Sequence, residues 1–146
     1  MFVDVTPDPI VPEEVHACVG DPADGAVLLF LGTVRDHNDG RPVERLHYDA
    51  YRDMALRELR AIVAEAATRA GTDRIAVVHR TGTLEIGEVS LAVAVSSAHR
   101  AETFDAARWI IEEVKRRVPV WKREHYTDGR GEWLPGETPE PAEERA

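Results

Sequence analysis

Lysine is almost missing from this chain. Of the 18 basic residues among its 146, only Lys115 and Lys122 are lysine, and the other sixteen are arginine. Arginine stays protonated in a protein, whereas lysine can lose its proton, attack as an amine and shift its pKa. The two lysines flank Pro119 in the stretch Val114-Lys-Arg-Arg-Val-Pro-Val-Trp-Lys-Arg-Glu124. Keeping lysine at these two places marks them as candidates for chemistry. The competing reading is a pair of surface lysines left by composition.

Cysteine is scarcer still. The single Cys18 excludes an internal disulfide and a Cys-rich zinc site. It recurs with Val15 and Val19 at helical spacing, so it is expected to be a small core residue. The six histidines show no paired metal spacing, and no phosphate-loop glycine motif, dinucleotide fingerprint or nucleophile elbow occurs. No metal and no cofactor are expected. The longest apolar run, Ala26 to Leu31, is too short to cross a bilayer. The N-terminus has no basic region followed by an apolar core, so a cytoplasmic protein is expected, with no membrane partner.

Acidic and basic charge are unevenly spread. The net charge is -9, yet residues 1–25 hold six acids and no Lys or Arg, and residues 135–146 hold four acids and one Arg. The stretch between them is neutral, with seventeen of each sign. A nucleic-acid partner is therefore not expected, because that needs a net basic surface. A local anion site remains: five of the nine residues from Lys115 to Arg123 are cationic and none is acidic. With 43% hydrophobic and 31% charged residues, the composition fits one globular domain over 1–134. The Pro/Glu-rich tail 135–146 is expected to be disordered.

Periodicity supplies the elements. A short helix opens at Pro12 and runs to Val19, and a buried strand spans Gly25 to Val34. The polar loop Arg35–Arg41 contains an Asp39-Gly40 turn. A second strand covers Val43–Ala50. Leu56, Leu59, Val63, Ala66 and Ala70 stripe a helix from Asp53 to Ala70, stopped by Gly71. Strands at Arg74–Arg80 and Val89–Ser96 follow, joined by a turn at Gly82–Gly87. The second of them, small or apolar on both faces, reads as a central strand with a helix over its small-residue side. A helix from Arg100 to Arg117 should turn Phe104, Ala107, Ile111 and Val114 inward and stop before Pro119. Val120–Tyr126 returns as a strand, with a last one near Trp133. The result is an α+β domain with helices packed on a largely antiparallel sheet.

Lys115 falls in the last turn of its helix and Lys122 on the returning strand, so the proline turn can bring both ammonium groups to one place. Crowding by Arg116, Arg117 and Arg123 is expected to lower a lysine pKa, which suits a general acid/base or amine nucleophile. Ser96-Ser-Ala-His-Arg100 joins the central strand to a helix N-terminus, where backbone N–H groups, His99 and Arg100 favour an anion. The competing reading is an ordinary strand-to-helix turn capped by a serine. Arg35 is expected at the same sheet rim.

Four segments together, Phe30-Leu-Gly-Thr-Val-Arg35, His79-Arg-Thr-Gly82, Ser97-Ala-His-Arg100 and Lys115 to Glu124, resemble the family of molybdopterin synthase catalytic (large) subunits in content, order and separation. The resemblance spans roughly residues 3 to 134. It implies an α/β hammerhead fold and a homodimer core. A small ubiquitin-like sulfur-carrier subunit would bind at each end, making a heterotetramer. The implied reaction moves sulfur from the carrier's C-terminal thiocarboxylate to cyclic pyranopterin monophosphate, yielding the dithiolene of molybdopterin. Carried over by residue, Lys115 and Lys122 match the catalytic lysines, with Arg123 and Glu124 completing the substrate-contacting segment. Thr33, Val34 and Arg35 match a substrate-facing loop, and His99 and Arg100 match phosphate contacts.

The chain departs from the family at one point. The basic residue often found shortly after the tryptophan equivalent to Trp133 is missing until Arg145, leaving Arg130 as the substitute in a neighbouring subunit's pocket. The sulfur donor is expected to be external, since one cysteine offers no obvious store. Two rival functions are a non-catalytic binding module for a phosphorylated ligand or ubiquitin-like tail, and an acyl-thioester hydrolase.

Overall fold

The computed structural model describes residues 1–127 and the backbone of 131–133. Two sheets meet at an edge. The first has the order β1 (Phe2–Thr6), β5 (Ile75–Arg80), β7 (Val89–Ser97), β2 (Ala26–Thr33), and only its β1–β5 pair is parallel. The second joins β3 (His37–Asn38), β4 (Arg41–Ala50), β8 (Val120–Tyr126) and β9 (Gly131–Trp133), with β6 (Gly82–Glu85) added on β4. The largely antiparallel α+β architecture is as expected, and β7 is an interior strand.

Both long helices, α2 (Arg52–Ala70) and α3 (Arg100–Arg117), pack on one face of the first sheet. Leu59, Ile62 and Ile110 from the helices meet Val77, Val93 and Val95 from the strands, all of them buried. Enclosing a side chain such as Ile110 contributes about 1.5–3 kcal/mol, and Ile110→Ala would cost roughly 2–5 kcal/mol once the cavity is counted. Gly71 ends α2 at φ 69°, a left-handed conformation that glycine adopts without strain. The small-residue face of β7 is covered by the short helix α1 (Pro12–His16), with Val15 over Ala92 and Ala94.

Two side chains expected inside lie outside. The helix of α1 stops at His16, so Cys18 falls in the following turn and is exposed. Phe104 is 58% exposed, because α3 buries the face through Thr103, Ala106, Ala107, Ile110 and Val114. Strands β1, β3 and β6 are additions to the elements read from sequence, β3 lying within the expected loop Arg35–Arg41. The tail 135–146 and Arg130 lie outside the described residues. Among the described residues no helix is long and apolar enough to cross a membrane, and no cluster of three or more metal-ligating side chains occurs.

Candidate active site

Where the two sheets meet the C-terminal end of α3, they enclose a cavity of about 360 Å³, a volume in the range of small-molecule sites. Its amines come from both sides of a buried proline. The helix ends at Val118, whose N–H donates to the Val114 carbonyl, and the chain turns at Pro119 into β8. Lys115 in the last turn of α3 and Lys122 on β8 both line the cavity, as does Arg35. Thr33 reaches it because β2 shifts register between Gly32 and Thr33, a bulge that re-aims the strand end.

Among the described residues Glu124 is the only carboxylate on the wall, two residues from Lys122 and on the same face of β8. It is 3% exposed, and its Oε1 accepts a 2.9 Å hydrogen bond from Asn38 Nδ2. Four further polar side chains on the wall were not among the residues singled out from sequence: His37, Tyr48, His79 and Ser90. Tyr48 sits opposite Lys122 across the β4–β8 ladder, and its ring meets His79 edge-on at 5.2 Å. His79 Nδ1 lies 2.8 Å from the Arg80 carbonyl, a contact in which the ring N–H donates. His79 stood within a quoted motif, and the alternation of β4 puts Leu46 and Tyr48 on one face. Those were the available signals.

Several expected site residues stand elsewhere. Val34 is 3% exposed in the core of the second sheet, and its N–H and carbonyl bond to Glu88 and Gly87. Arg123 alternates to the opposite face of β8 and does not line the cavity. His99 and Arg100 are exposed at the far end of α3, fifteen positions before Lys115 in the case of Arg100, or about 22 Å at the helical rise. Arg35 is not on their rim either. Because β2 and β7 are antiparallel, Thr33 pairs with Val89 while Ser97 pairs with Ala26 at the other end.

The two arginines after Lys115 do not crowd it with bare charge. Arg116 pairs with Glu113 at 2.7 Å, and Arg117 reaches Glu58 and Glu65 on α2 as well as Glu113. The positive charge of α3's last turn is thus matched by carboxylates outside the cavity.

The His99–Arg100 segment has its own scaffold. Ser97 Oγ donates to the His99 carbonyl and also meets Thr103 Oγ1. The N-cap is His99, without a side-chain capping bond, so no serine caps α3. Behind it, Asp24 accepts from Arg74 and from Ser96 Oγ, which in turn accepts from the Gly20 N–H. The hydrogen bond from Arg74, with a second from Ser96, holds the Asp24 carboxyl below the usual carboxylate range.

This arrangement can be set beside known proteins. The family described as MoaE protein matches residues 5–117. The chain belongs to that family. It is 45% identical over 130 residues to molybdopterin synthase catalytic subunit 1 of Mycobacterium tuberculosis, covering 89% of this chain and 88% of the relative. The crystal structure of molybdopterin synthase from Staphylococcus aureus superposes with a TM-score of 0.84 at 34% identity, covering 90% of this chain and 95% of that one. A Helicobacter pylori complex of subunits 1 and 2 of molybdopterin-converting factor shares the fold, with a TM-score of 0.71 at 18% identity, covering 94% and 92%. Membership in the MoaE family makes the chain an enzyme component of molybdenum cofactor biosynthesis.

Proposed function

We propose that the chain catalyses sulfur transfer from the thiocarboxylated C-terminus of a small ubiquitin-like carrier subunit to cyclic pyranopterin monophosphate, building the molybdopterin dithiolene. The observation that carries this reading is the convergence of Lys115 and Lys122, with Arg35, on one cavity. An anionic pterin phosphate suits a wall with three cationic side chains and one carboxylate. A thiocarboxylate tail is extended and anionic, and the same charge favours its entry. Each carrier delivers one sulfur, so two deliveries complete the dithiolene. Lys115 acts as acid/base or transient nucleophile at the transfer centre, with Lys122 assisting, and Thr33 and Arg35 meet the substrate.

His99 and Arg100 cannot touch a ligand held by Lys115 of the same chain, given the length of α3 between them. They serve the phosphate of a site in a second copy, which agrees with a homodimer core. The Helicobacter pylori structure of the same fold contains both subunits of its converting factor, which supports a carrier bound to each protomer. The test is reconstitution: the purified chain, a thiocarboxylated carrier and the cyclic pterin should yield dithiolene. Binding of both without product would leave only a binding module.

A further inference from the structure

Glu124 is an unusual wall residue. One of its oxygens is occupied by Asn38, and the other is enclosed with no hydrogen-bond partner among the described residues. A buried acceptor left bare is costly, so its retention calls for a reason. A substrate contact is a poor one, since one oxygen is enclosed and the other is already taken by Asn38.

The loop that carries Arg35 supplies a better reason. From Arg35 to Asp39 every side chain is exposed except that of Asn38. The loop has only a two-residue strand, paired through His37–Pro42 and Asn38–Arg41, closed by Asp39 and Gly40 at φ 49° and 75°. Two positive φ values make this a type I′-like hairpin turn, which fixes the local register but not the hairpin's placement. Beyond the backbone bond from the Val43 N–H to the Asp36 carbonyl at 2.7 Å, placement falls to the inward side chains. Asn38 binds Glu124, and the Arg41 guanidinium stacks 3.5 Å over the Tyr126 ring. Lys122, Glu124 and Tyr126 alternate on one face of β8, so one strand presents a cavity amine and both loop anchors.

We propose that Asn38 is a positioning residue, and that Glu124 serves the cavity through it, by pinning the Arg35–His37 loop over the two lysines rather than by touching substrate. The kinetic part rests on the sulfur-transfer reading, while the tether itself does not. Asn38→Ala and Glu124→Ala should each raise KM roughly tenfold, the scale of one charge-assisted hydrogen bond, with kcat nearly held. The double variant should lose no more than the worse single one, because both changes cut the same link. Glu124→Gln keeps an acceptor for Asn38 and should recover most of what Glu124→Ala loses. Amide hydrogen exchange over residues 35–41 should quicken in both alanine variants while β7 stays protected.

That last readout needs no turnover, so it decides the tether even if the wild-type chain makes no dithiolene. Unchanged exchange in Asn38→Ala would overturn the proposal. So would Glu124→Gln losing kcat as fully as Glu124→Ala while Asn38→Ala is silent, since the carboxylate itself would then be doing the chemistry.

Discussion

Lys115 and Lys122 reach one cavity from opposite sides of the buried Pro119, one from the end of a helix and the other from the strand that follows. The proline fixes the sharp exit that makes this geometry. If the two amines only neutralised charge, arginine would serve as well. Lys115→Arg is expected instead to cut dithiolene formation by about 10²–10⁴-fold, the usual worth of a positioned proton-transfer group, while melting temperature and carrier binding hold. Single-turnover product formation reads this out, and retained activity would leave a charge role only.

The separation of Arg100 from Lys115 along α3 gives a complementation test. Arg100→Ala and Lys115→Ala homodimers are each expected to be inactive or severely weakened. Unfolded together and reassociated, they form mixed dimers in which one site carries both defects and the other neither. Activity should return to roughly a quarter of wild type, the statistical share of intact sites in a two-fold dimer. No recovery on mixing would mean that both residues act within one chain.

Gly25 approaches the segment before His99 so closely that a Cβ there would lie 2.6 Å from the Ala98 carbonyl oxygen. Its own N–H donates to the Ser97 carbonyl at 3.1 Å. Gly25→Ala is expected to displace that segment and cost about 1–3 kcal/mol, measured by urea unfolding. Because His99 moves with it, activity should fall more than stability alone accounts for.

Two groups set distinct acid windows. The Asp24 carboxyl is held low by Arg74 and Ser96, so the unfolded chain takes up the proton first, near its ordinary value of about 3.9. The stability from that pair is intact above this pH and is lost as pH falls through the folded value. His125 is shifted low by burial first, then by Arg45, Arg123 and His47. Its folded form resists protonation, so stability declines as pH drops below about 6.5, where the unfolded histidine charges. Denaturation curves from pH 7 down should show Asp24→Asn closing on wild type only at the acid end. His125→Gln should flatten the earlier decline.

Much of this was legible in the chain. The bounds of α3 and β8 followed from an apolar stripe ending at Val118-Pro119 and the β pattern beyond it. The lysine pair was visible from composition alone. Strand β1 was not, because Phe2–Thr6 buries a single side chain, Val5, and takes its place through parallel partners 74 residues away. Strand β6 looked like a turn since only Leu84 within it is buried. The rim on which Arg35 emerges depended on the direction of the β2–β7 pairing, which no local pattern encodes. Phe104 shows the same limit on a helix, where a stripe drawn one position off exposes a large aromatic.

The central claim is that both amines act on one bound substrate. A kinetic cycle of Lys115→Ala, Lys122→Ala and the double variant tests it most directly, using thiocarboxylated carrier and cyclic pterin in single turnover. Residues that work as a unit are strongly non-additive, so the double variant should lose little beyond the worse single one. Losses that simply multiply would place the two lysines in independent roles and contradict the account.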